Sequence, residues 1–175
     1  MALGDCQGGP AFTHTFYDDF RIIRANLVDK TGFQLTTTNR MNPYVVYIDP
    51  QLGHIGRHET EARKQHLTKS IKTATMPMSY VARALETDET RGLMKAVVDG
   101  ESGQILGFTC LGIEGGEIMS IVQVAMMGEV PYTTLQQAVF AHPKLAESLN
   151  NLWGFLKWRG IRSLCSMLSL FRSHS

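Results

Sequence analysis

The stretch RGLMKAVVDGESGQILGFTCLGI, residues 91–113, holds two runs of β-forming residues separated by a short polar segment. That segment, DGESG at residues 99–103, is rich in glycine, aspartate and serine, which accept the backbone conformations of a tight turn. Two such runs on either side of a turn are typical of a β-hairpin. The stretch therefore predicts two neighbouring antiparallel strands, around which the rest of the fold is arranged.

The segment that follows the hairpin, GGEIMSIVQVAMMG at residues 115–128, is apolar on almost every side. Its length and its methionine, alanine and glutamate content favour a buried helix over a strand. In this interpretation Met126 and Met127 fill the core rather than bind a metal or a cofactor. Two further short helices are expected, near Thr133–Phe140 and Leu145–Leu152.

Three shorter segments precede the hairpin. YVVYI at residues 44–48 and SIKTATMPM at residues 70–78 have the composition or the alternation of strands, and ETEARKQ at residues 59–65 indicates a brief polar helix. Strands in a run, followed by helices and without regular β-α-β alternation, indicate an α+β domain. We therefore expect an antiparallel β-sheet flanked by helices.

A long helix is predicted near the N-terminus. Thr15 stands three residues before Asp18, as an N-cap residue stands before an acidic third position. The apolar residues that recur at helical spacing after it are Phe16, Phe20, Ile23 and Leu27. Lys30 and Gly32 supply a cationic last turn and a stop. Residues 34–42, QLTTTNRMN, carry little apolar pattern, so we expect a boundary between two units there.

The composition excludes some function classes. The 17 lysines and arginines nearly balance the 16 aspartates and glutamates, so no overall charge draws the chain to nucleic acid or to an anionic membrane. No signal peptide or apolar run of about 18 residues is present, and we expect a cytoplasmic protein without a membrane segment. Charge is uneven at the end, where residues 153–175 are basic and contain no acid.

The cysteines and histidines give no metal or dithiol pattern. The three cysteines are Cys6, Cys110 and Cys165. They form no CxxC pair, and we expect reduced thiols with Cys110 buried in a strand. His54, His58 and His66 lack a cysteine or a paired carboxylate that would complete a four-ligand set. We therefore predict no metal site and expect these histidines to be solvated.

The segment FAHPKLAESL, residues 140–149, places a histidine before a proline and a glutamate five positions later. Proline disfavours helix in its predecessor and is itself favoured at the first helical position, so His142 is expected at the mouth of the helix that contains Glu147. The carboxylate would hold one ring nitrogen and leave the other for proton transfer. The same spacing also suits a surface histidine near a helix start, and spacing alone favours that simpler interpretation.

The segment ALGD, residues 2–5, ends in an aspartate after a glycine. Asp5 there either accepts hydrogen bonds from a ligand hydroxyl or caps a turn. If a ligand lies there, the helix that starts near Thr15 would direct its N–H groups and the positive end of its dipole at an electron-rich atom.

Taken in order, these fragments resemble the C-terminal third of the flavoprotein disulfide reductases, the class I pyridine nucleotide-disulfide oxidoreductases. The fragments are ALGD, PAFTH, VVYIDPQLGHIG, ETEARK, RALETDETRGLMKAVVDGESGQILG, GGEIMSIVQVAMM and FAHPKLAESL. The resemblance covers residues 1 to about 152 and is nearest to the mercuric reductase-like and dihydrolipoamide dehydrogenase-like branches. It implies that residues 41–152 form the dimerisation, or interface, domain and that residues 1–40 are the last part of the FAD-binding domain.

The resemblance implies a cofactor, FAD. Asp5 matches the acid that binds a ribityl hydroxyl of the flavin. Ala11, Phe12 and Thr13 match the helix start whose N–H groups face the flavin ring. In such enzymes NADH or NADPH reduces FAD, and FAD reduces a cysteine pair.

The resemblance also implies roles for the histidine and the glutamate. His142 matches the acid/base histidine that reaches across the dimer to the redox disulfide of the partner subunit, and Glu147 matches the glutamate that orients it. Lys144 stands where the family usually has threonine, a departure that leaves both residues in place.

The CxxxxC pair, the GxGxxG motif and the NAD(P)H-binding domain of the family do not occur in the 175 residues. We therefore expect FAD and NAD(P)H to act only in a complete enzyme, and the chain to be inactive alone. The expected partner is a second copy or a full-length homologue. Residues 153–175 match nothing in the family and are either an amphipathic interaction helix or an adventitious tail. A non-catalytic dimerisation module is the alternative function.

Overall fold

A computed structural model describes residues 4–29, 32, 34–38, 40–65 and 70–158 of the chain. The chain divides into two units, one up to Tyr44 and one from Val45 onward. The second unit contains the sheet that the hairpin sequence predicts.

The first unit is built on a helix that begins earlier than its sequence suggests. A 3-10 turn over Gly4–Gln7 precedes α1, Thr13–Ile23, which continues as a π-helical segment over Arg24–Asp29. Thr15 is therefore not the N-cap: it lies buried in the first turn, and its hydroxyl has no hydrogen-bond partner among the described residues. Phe12 takes the cap position, because its carbonyl already accepts a hydrogen bond from the Thr15 N–H at 2.9 Å.

A buried ion pair organises this unit. Asp19, 5% exposed, accepts a hydrogen bond from Arg40 Nη1 at 2.6 Å and one from the Gly4 N–H at 3.4 Å. The hydrogen bond from Arg40 is the main cause that lowers the pKa of Asp19. The predicted apolar stripe is partly exposed, at Phe20 in α1 and at Leu27 in the π-helical segment. The apolar spacing gave no sign that a paired carboxylate would be the buried group.

Six strands form one sheet within the described residues. They are β1 (Tyr44–Val46), β2 (Leu52–Gly56), β3 (Ile71–Pro77), β4 (Leu93–Asp99), β5 (Ile105–Leu111) and β6 (Lys157–Trp158). Their order across the sheet is β1-β2-β5-β4-β3-β6, and the pairs β2–β5, β5–β4, β4–β3 and β3–β6 are antiparallel. The predicted α+β fold with an antiparallel sheet is confirmed.

The predicted hairpin is the centre of this sheet. β4 pairs with β5, with a register shift between Val97 and Val98. At the turn the buried Asp99 accepts a hydrogen bond from the Glu101 N–H at 3.0 Å, and its carbonyl accepts one from the Gly103 N–H at 2.9 Å. The aspartate and glycine of the turn sequence therefore close the hairpin in the way that their chemistry predicts.

One long helix approaches the sheet closely. α4 covers Gly115–Met127, as predicted, and packs on β2 and β5. A Cβ atom at Gly53 would lie 2.6 Å from the carbonyl oxygen of Gly115 and 3.0 Å from Cβ of Met119. The absence of a side chain at Gly53 therefore allows α4 to lie against β2.

The outer side of α4 is apolar near the C-terminal end of the helix. Val124 and Met127, three residues apart, are 70% and 65% exposed. Met126 is buried as predicted, whereas the prediction that Met127 fills the core is wrong. The two methionines occur in one apolar run, so the sequence does not distinguish the inward side from the outward side.

The remaining helices are short. They are α2 (Glu59–Gln65), α3 (Ala82–Glu86), α5 (Tyr132–Gln137) and α6 (Ser148–Leu152). α2 lies where the sequence predicts it. α5 ends before the predicted Phe140, and a 3-10 turn over Leu145–Glu147 leads directly into α6.

The chain beyond α6 stays on the sheet as far as it is described. Trp153, in a 3-10 turn over Trp153–Phe155, is buried, and β6 pairs with β3, with Lys157 opposite Thr73. The sequence predicts that an unmatched tail begins at residue 153, whereas in the structure residues 153–158 contribute to the core and to the edge of the sheet. The rest of the predicted tail, residues 159–175, lies outside the described residues.

Candidate functional site

His142 lies in an irregular loop between α5 and the 3-10 turn. α5 ends at Gln137, and the next helical residues are Leu145–Glu147. The peptide bond between His142 and Pro143 is cis. The prediction that Pro143 is the first residue of a helix is wrong, because Lys144 is still extended, with φ −128° and ψ 150°, before the turn begins.

The loop nevertheless brings His142 and Glu147 together. Nδ1 of His142 lies 2.8 Å from Oε2 and 3.1 Å from Oε1 of Glu147. An ionised carboxylate only accepts hydrogen bonds, so Nδ1 carries the proton of the neutral ring and donates it to Glu147. Nε2 then has a lone pair that can take up a proton. The His142 side chain is 65% exposed and that of Glu147 30%, so the ring is open to an incoming group.

The carboxylate is presented from a buried helical segment. Leu149 and Leu152, just beyond Glu147, are both fully buried. The hydroxyl of buried Ser148 donates to the carbonyl of Leu145 and lies 3.6 Å from the Met94 sulfur on β4. The backbone that carries Glu147 is thus fixed against the sheet, while its side chain reaches outward to the ring.

The residues expected to meet FAD lie in the first unit. Asp5 is exposed in the 3-10 turn, Ala11 and Phe12 precede α1, and Thr13 is the first residue of α1. No side chain caps this helix start. At this helix start the Thr15 and Phe16 N–H groups donate to the carbonyl of Phe12, at 2.9 Å and 3.2 Å. The N–H groups of Thr13 and His14 precede these hydrogen bonds and lie at the positive end of the helix dipole. These features fit FAD, with Asp5 as an acceptor for a hydroxyl.

A histidine in the sheet contradicts its prediction. His54, on β2, is 3% exposed rather than solvated. Its Nδ1 lies 2.7 Å from Oγ1 of Thr109 and its Nε2 lies 3.1 Å from the carbonyl oxygen of Gly56. The ring of His58 stacks on it with centroids 3.9 Å apart. Burial, and then the neighbouring His58, lower the pKa of His54. His66 lies outside the described residues.

Acid is expected to weaken the fold through His54. The folded state keeps the ring neutral because its pKa is lowered from 6.5, whereas the unfolded chain takes up a proton near that value. Stability is therefore full above about pH 6.5 and falls with pH down to the folded-state pKa, by at most about 1.4 kcal/mol per pH unit. Urea unfolding at about pH 7.5 and about pH 5.5 measures this loss.

A matched pair of variants isolates the contribution of His54. The glutamine of His54→Gln cannot take up the proton. Its free energy of unfolding is therefore expected to fall less on acidification than that of the wild type. His14→Gln removes an exposed histidine of the first unit and is expected to retain the wild-type acid loss. Equal acid losses in the wild type and in His54→Gln would contradict the role of His54.

An ion cluster that the sequence did not reveal lies at the start of α2. Glu59, 16% exposed, accepts hydrogen bonds from Lys95 Nζ at 2.6 Å and from Arg63 Nη2 at 2.9 Å. The Lys95 hydrogen bond is the main cause that lowers the pKa of Glu59. Because Lys95 is on β4, the cluster ties α2 to the sheet. Its signal in the sequence is limited to the spacing of Glu59 and Arg63, four residues apart on one helix.

The cysteines are not arranged for catalysis within the described residues. Cys110 is fully buried in β5, as predicted, and burial raises the pKa of its thiol to about 12. It therefore stays protonated near neutral pH and is a poor nucleophile. Cys6 is exposed, and Cys165 lies outside the described residues. Among the described side chains, no three of His, Cys, Asp or Glu lie together as metal ligands.

The described residues thus form an antiparallel sheet, a long helix against its glycine-bearing strand, and a loop in which a carboxylate contacts a histidine. The class of protein to which this domain belongs follows from a comparison with known families. Residues 42–153 match the family model described as pyridine nucleotide-disulphide oxidoreductase, dimerisation domain. The chain belongs to this family.

Three relatives are similar to this chain over most of its length. The probable pyridine nucleotide-disulfide oxidoreductase RclA of Escherichia coli K12 is 35% identical over 156 residues, which cover 89% of this chain and 35% of the relative. The mercuric reductase of Shigella flexneri is 28% identical, with 85% of this chain and 25% of the relative covered. The dihydrolipoyl dehydrogenase of Vibrio parahaemolyticus is 24% identical, with 85% and 30% covered. The chain thus spans a quarter to about a third of the length of these relatives.

Solved structures agree with this fold. The HOCl-induced flavoprotein disulfide reductase RclA from Escherichia coli superposes with a TM-score of 0.82 at 35% identity, covering 89% of this chain and 35% of the other. LpdA from Mycobacterium tuberculosis, at 18% identity, gives a TM-score of 0.74 over 86% of this chain and 32% of the other, a likeness of fold. Within the described part of the chain, no helix has the length and apolarity to cross a membrane.

Proposed function

We propose that this segment supplies the acid/base pair and the subunit contact of a FAD-dependent NAD(P)H disulfide oxidoreductase. The observation that carries the proposal is the contact of 2.8 Å between Nδ1 of His142 and the carboxylate of Glu147, in a chain of the dimerisation-domain family. The second ring nitrogen has no partner among the described residues and belongs to an exposed side chain. This arrangement suits proton transfer to a group brought by another part of the enzyme or by a partner subunit.

The proposed reaction is thiol–disulfide exchange. Nε2 of His142 accepts the proton of an attacking thiol as its S–H bond breaks, and the resulting thiolate displaces one sulfur of a disulfide. The imidazolium then returns the proton to the departing thiolate. Glu147 stabilises the imidazolium and keeps the ring in the tautomer that leaves Nε2 unprotonated. When bound, FAD supplies the two electrons that pass from NAD(P)H to a cysteine pair.

The first test is the behaviour of the purified chain. We expect no visible flavin absorbance and no NAD(P)H-dependent disulfide reduction from the 175 residues alone, and both from a full-length or reconstituted enzyme that contains them. Stoichiometric FAD with turnover in the chain alone would contradict the proposal that it needs further parts.

The second candidate is a non-catalytic dimerisation module that pairs with itself or with a full-length homologue. The exposed Val124 and Met127 on the outer side of α4 favour it, because apolar side chains that project together from one helix are typical of a contact surface. A stable dimer without flavin or activity in any assembly would support this candidate over the first.

Association is expected to depend on α4. Met127→Glu places a charge on its exposed apolar side, where burial against a partner would desolvate it, and we expect the dimer Kd to rise at least about tenfold. Size-exclusion chromatography with light scattering over a concentration series measures the shift. Leu85→Glu, which changes an apolar residue on α3 that is also more than half exposed, is the control and is expected to leave the Kd unchanged. A monomer at all concentrations in the wild type would contradict self-association.

A further inference from the structure

Asn150 lies one helical turn beyond Glu147 on the segment that runs from the 3-10 turn into α6. Side chains three residues apart on a helix leave it on neighbouring parts of one side. Glu147 uses this side to hold the ring of His142. From the same side of the helical segment, the Asn150 side chain reaches the end of α5, where the loop to His142 begins.

The Asn150 carboxamide binds the end of α5 closely. Its Nδ2 lies 2.8 Å from the carbonyl oxygen of Leu135, 2.8 Å from that of Ala138 and 3.3 Å from that of Gln136. The last carbonyl groups of a helix have no intrahelical donor, and an amide nitrogen has two protons to donate. The two short contacts use both protons, so Asn150 caps α5 from outside that helix.

The loop has few other anchors of this kind. Outside helices and strands of the described chain, no backbone-to-backbone hydrogen bond involves residues 138–143. Val139, in the middle of the loop, is fully exposed. The loop is therefore held by side chains: by Asn150 at Ala138, where it begins, and by Glu147 at His142.

We infer that Asn150 is a positioning residue for His142. Asn150 fixes the point at which the chain leaves α5. It therefore determines where the loop places the His142 ring relative to the Glu147 carboxylate. A carboxamide suits this task because it donates two hydrogen bonds without charge, whereas leucine would leave the carbonyls unpaired. The inference rests on the proposed function of the His142 and Glu147 pair and adds a residue that holds this pair in place.

The test uses nitrogen NMR of the histidine rings in the full 175-residue chain, at alkaline pH. The His142 signals are identified by their loss in His142→Gln. We expect the proton of the wild-type ring to reside mainly on Nδ1, and Asn150→Leu to lower the ratio of the Nδ1–H to the Nε2–H tautomer about fivefold, the factor given by one ordinary hydrogen bond. Asn151→Leu, at an exposed neighbour of the same residue type, is expected to leave the ratio unchanged.

The possible results distinguish a failure of the positioning role of Asn150 from a failure of the proposed His142 and Glu147 pair. An unchanged ratio in Asn150→Leu, with the Nδ1–H tautomer dominant in the wild type, overturns the inference and leaves the proposed pair intact. A wild-type ring without the Nδ1–H tautomer shows that the pair is not formed, which overturns the proposed function. If circular dichroism shows that Asn150→Leu does not fold, Asn150→Ser keeps one donor and is expected to give a smaller fall in the ratio. An unchanged ratio in that variant also overturns the inference.

Discussion

In a full-length or reconstituted enzyme that contains this segment, His142→Gln is expected to lower kcat/KM for disulfide reduction by about 10²–10⁴-fold, the usual contribution of a positioned acid or base. Glutamine has a polar side chain but cannot take up and return a proton at Nε2. Because the proton moves in the transition state, kcat should fall together with kcat/KM. Steady-state assays with NAD(P)H and a small disulfide measure both constants.

Variants of Glu147 separate the orientation of the ring from its charge. Glu147→Gln keeps an acceptor oxygen for the Nδ1–H group but removes the negative charge, so we expect a smaller loss of kcat/KM than for His142→Gln. Glu147→Ala removes both and is expected to lose more than Glu147→Gln. Lys144→Thr, exposed in the same loop, is the control and should stay close to the wild type. Unaffected kcat/KM in His142→Gln would remove the catalytic role.

Gly53→Val is expected to lower the free energy of unfolding by about 3 kcal/mol or more, at the upper end of the usual cost of overpacking. The first carbon of the new side chain would lie 2.6 Å from the carbonyl oxygen of Gly115. That oxygen belongs to the backbone of α4 and cannot move aside as the end of a flexible side chain can. The helix must therefore shift away from β2, and the urea midpoint measures the cost.

The control for this variant is Gly154→Ala, because a Cβ atom at Gly154 would meet nothing within 4 Å. We expect it to stay within about 0.5 kcal/mol of the wild type, as for an ordinary surface change. A wild-type midpoint for Gly53→Val would contradict the close packing of α4 on β2.

The elements of the fold that depend on neighbouring residues in the sequence were predicted correctly. The hairpin follows from the aspartate and glycines of its turn, and α4 from an apolar run too long for a strand. The start of α1 was missed because the spacing of Thr15 and Asp18 is that of a capped helix, whereas the observed helix starts at Thr13 and no side chain caps it. The exposure of Met127 depends on which side of α4 meets β2 and β5, which a nearly uniform apolar run does not encode.

Some residues of the candidate site could likewise be predicted from the sequence, and others could not. The family resemblance singles out His142 and Glu147, whose spacing alone favours a surface histidine, and the structure brings their side chains into contact. Their catalytic roles stay predictions. Asn150 was missed because its partners are backbone carbonyls, which every residue type carries and no motif records. His54 was taken for a solvated residue, because the burial of its ring is decided by strand pairing with Thr109, far away in the sequence.

The central place of the hairpin also bears on the order in which the polypeptide folds. β4 and β5 meet after closure of a short turn, whereas β2 joins β5 through pairs such as His54 with Thr109, and β6 joins β3 through Thr73 with Lys157. Closing a longer loop costs more entropy, and pairing between distant strands is slow. The sheet should therefore grow outward from its middle. α4 can complete its packing on β2 and β5 only after β2 has joined the hairpin. The exposed side of α4 therefore forms late, and any self-association through it would take place between folded chains.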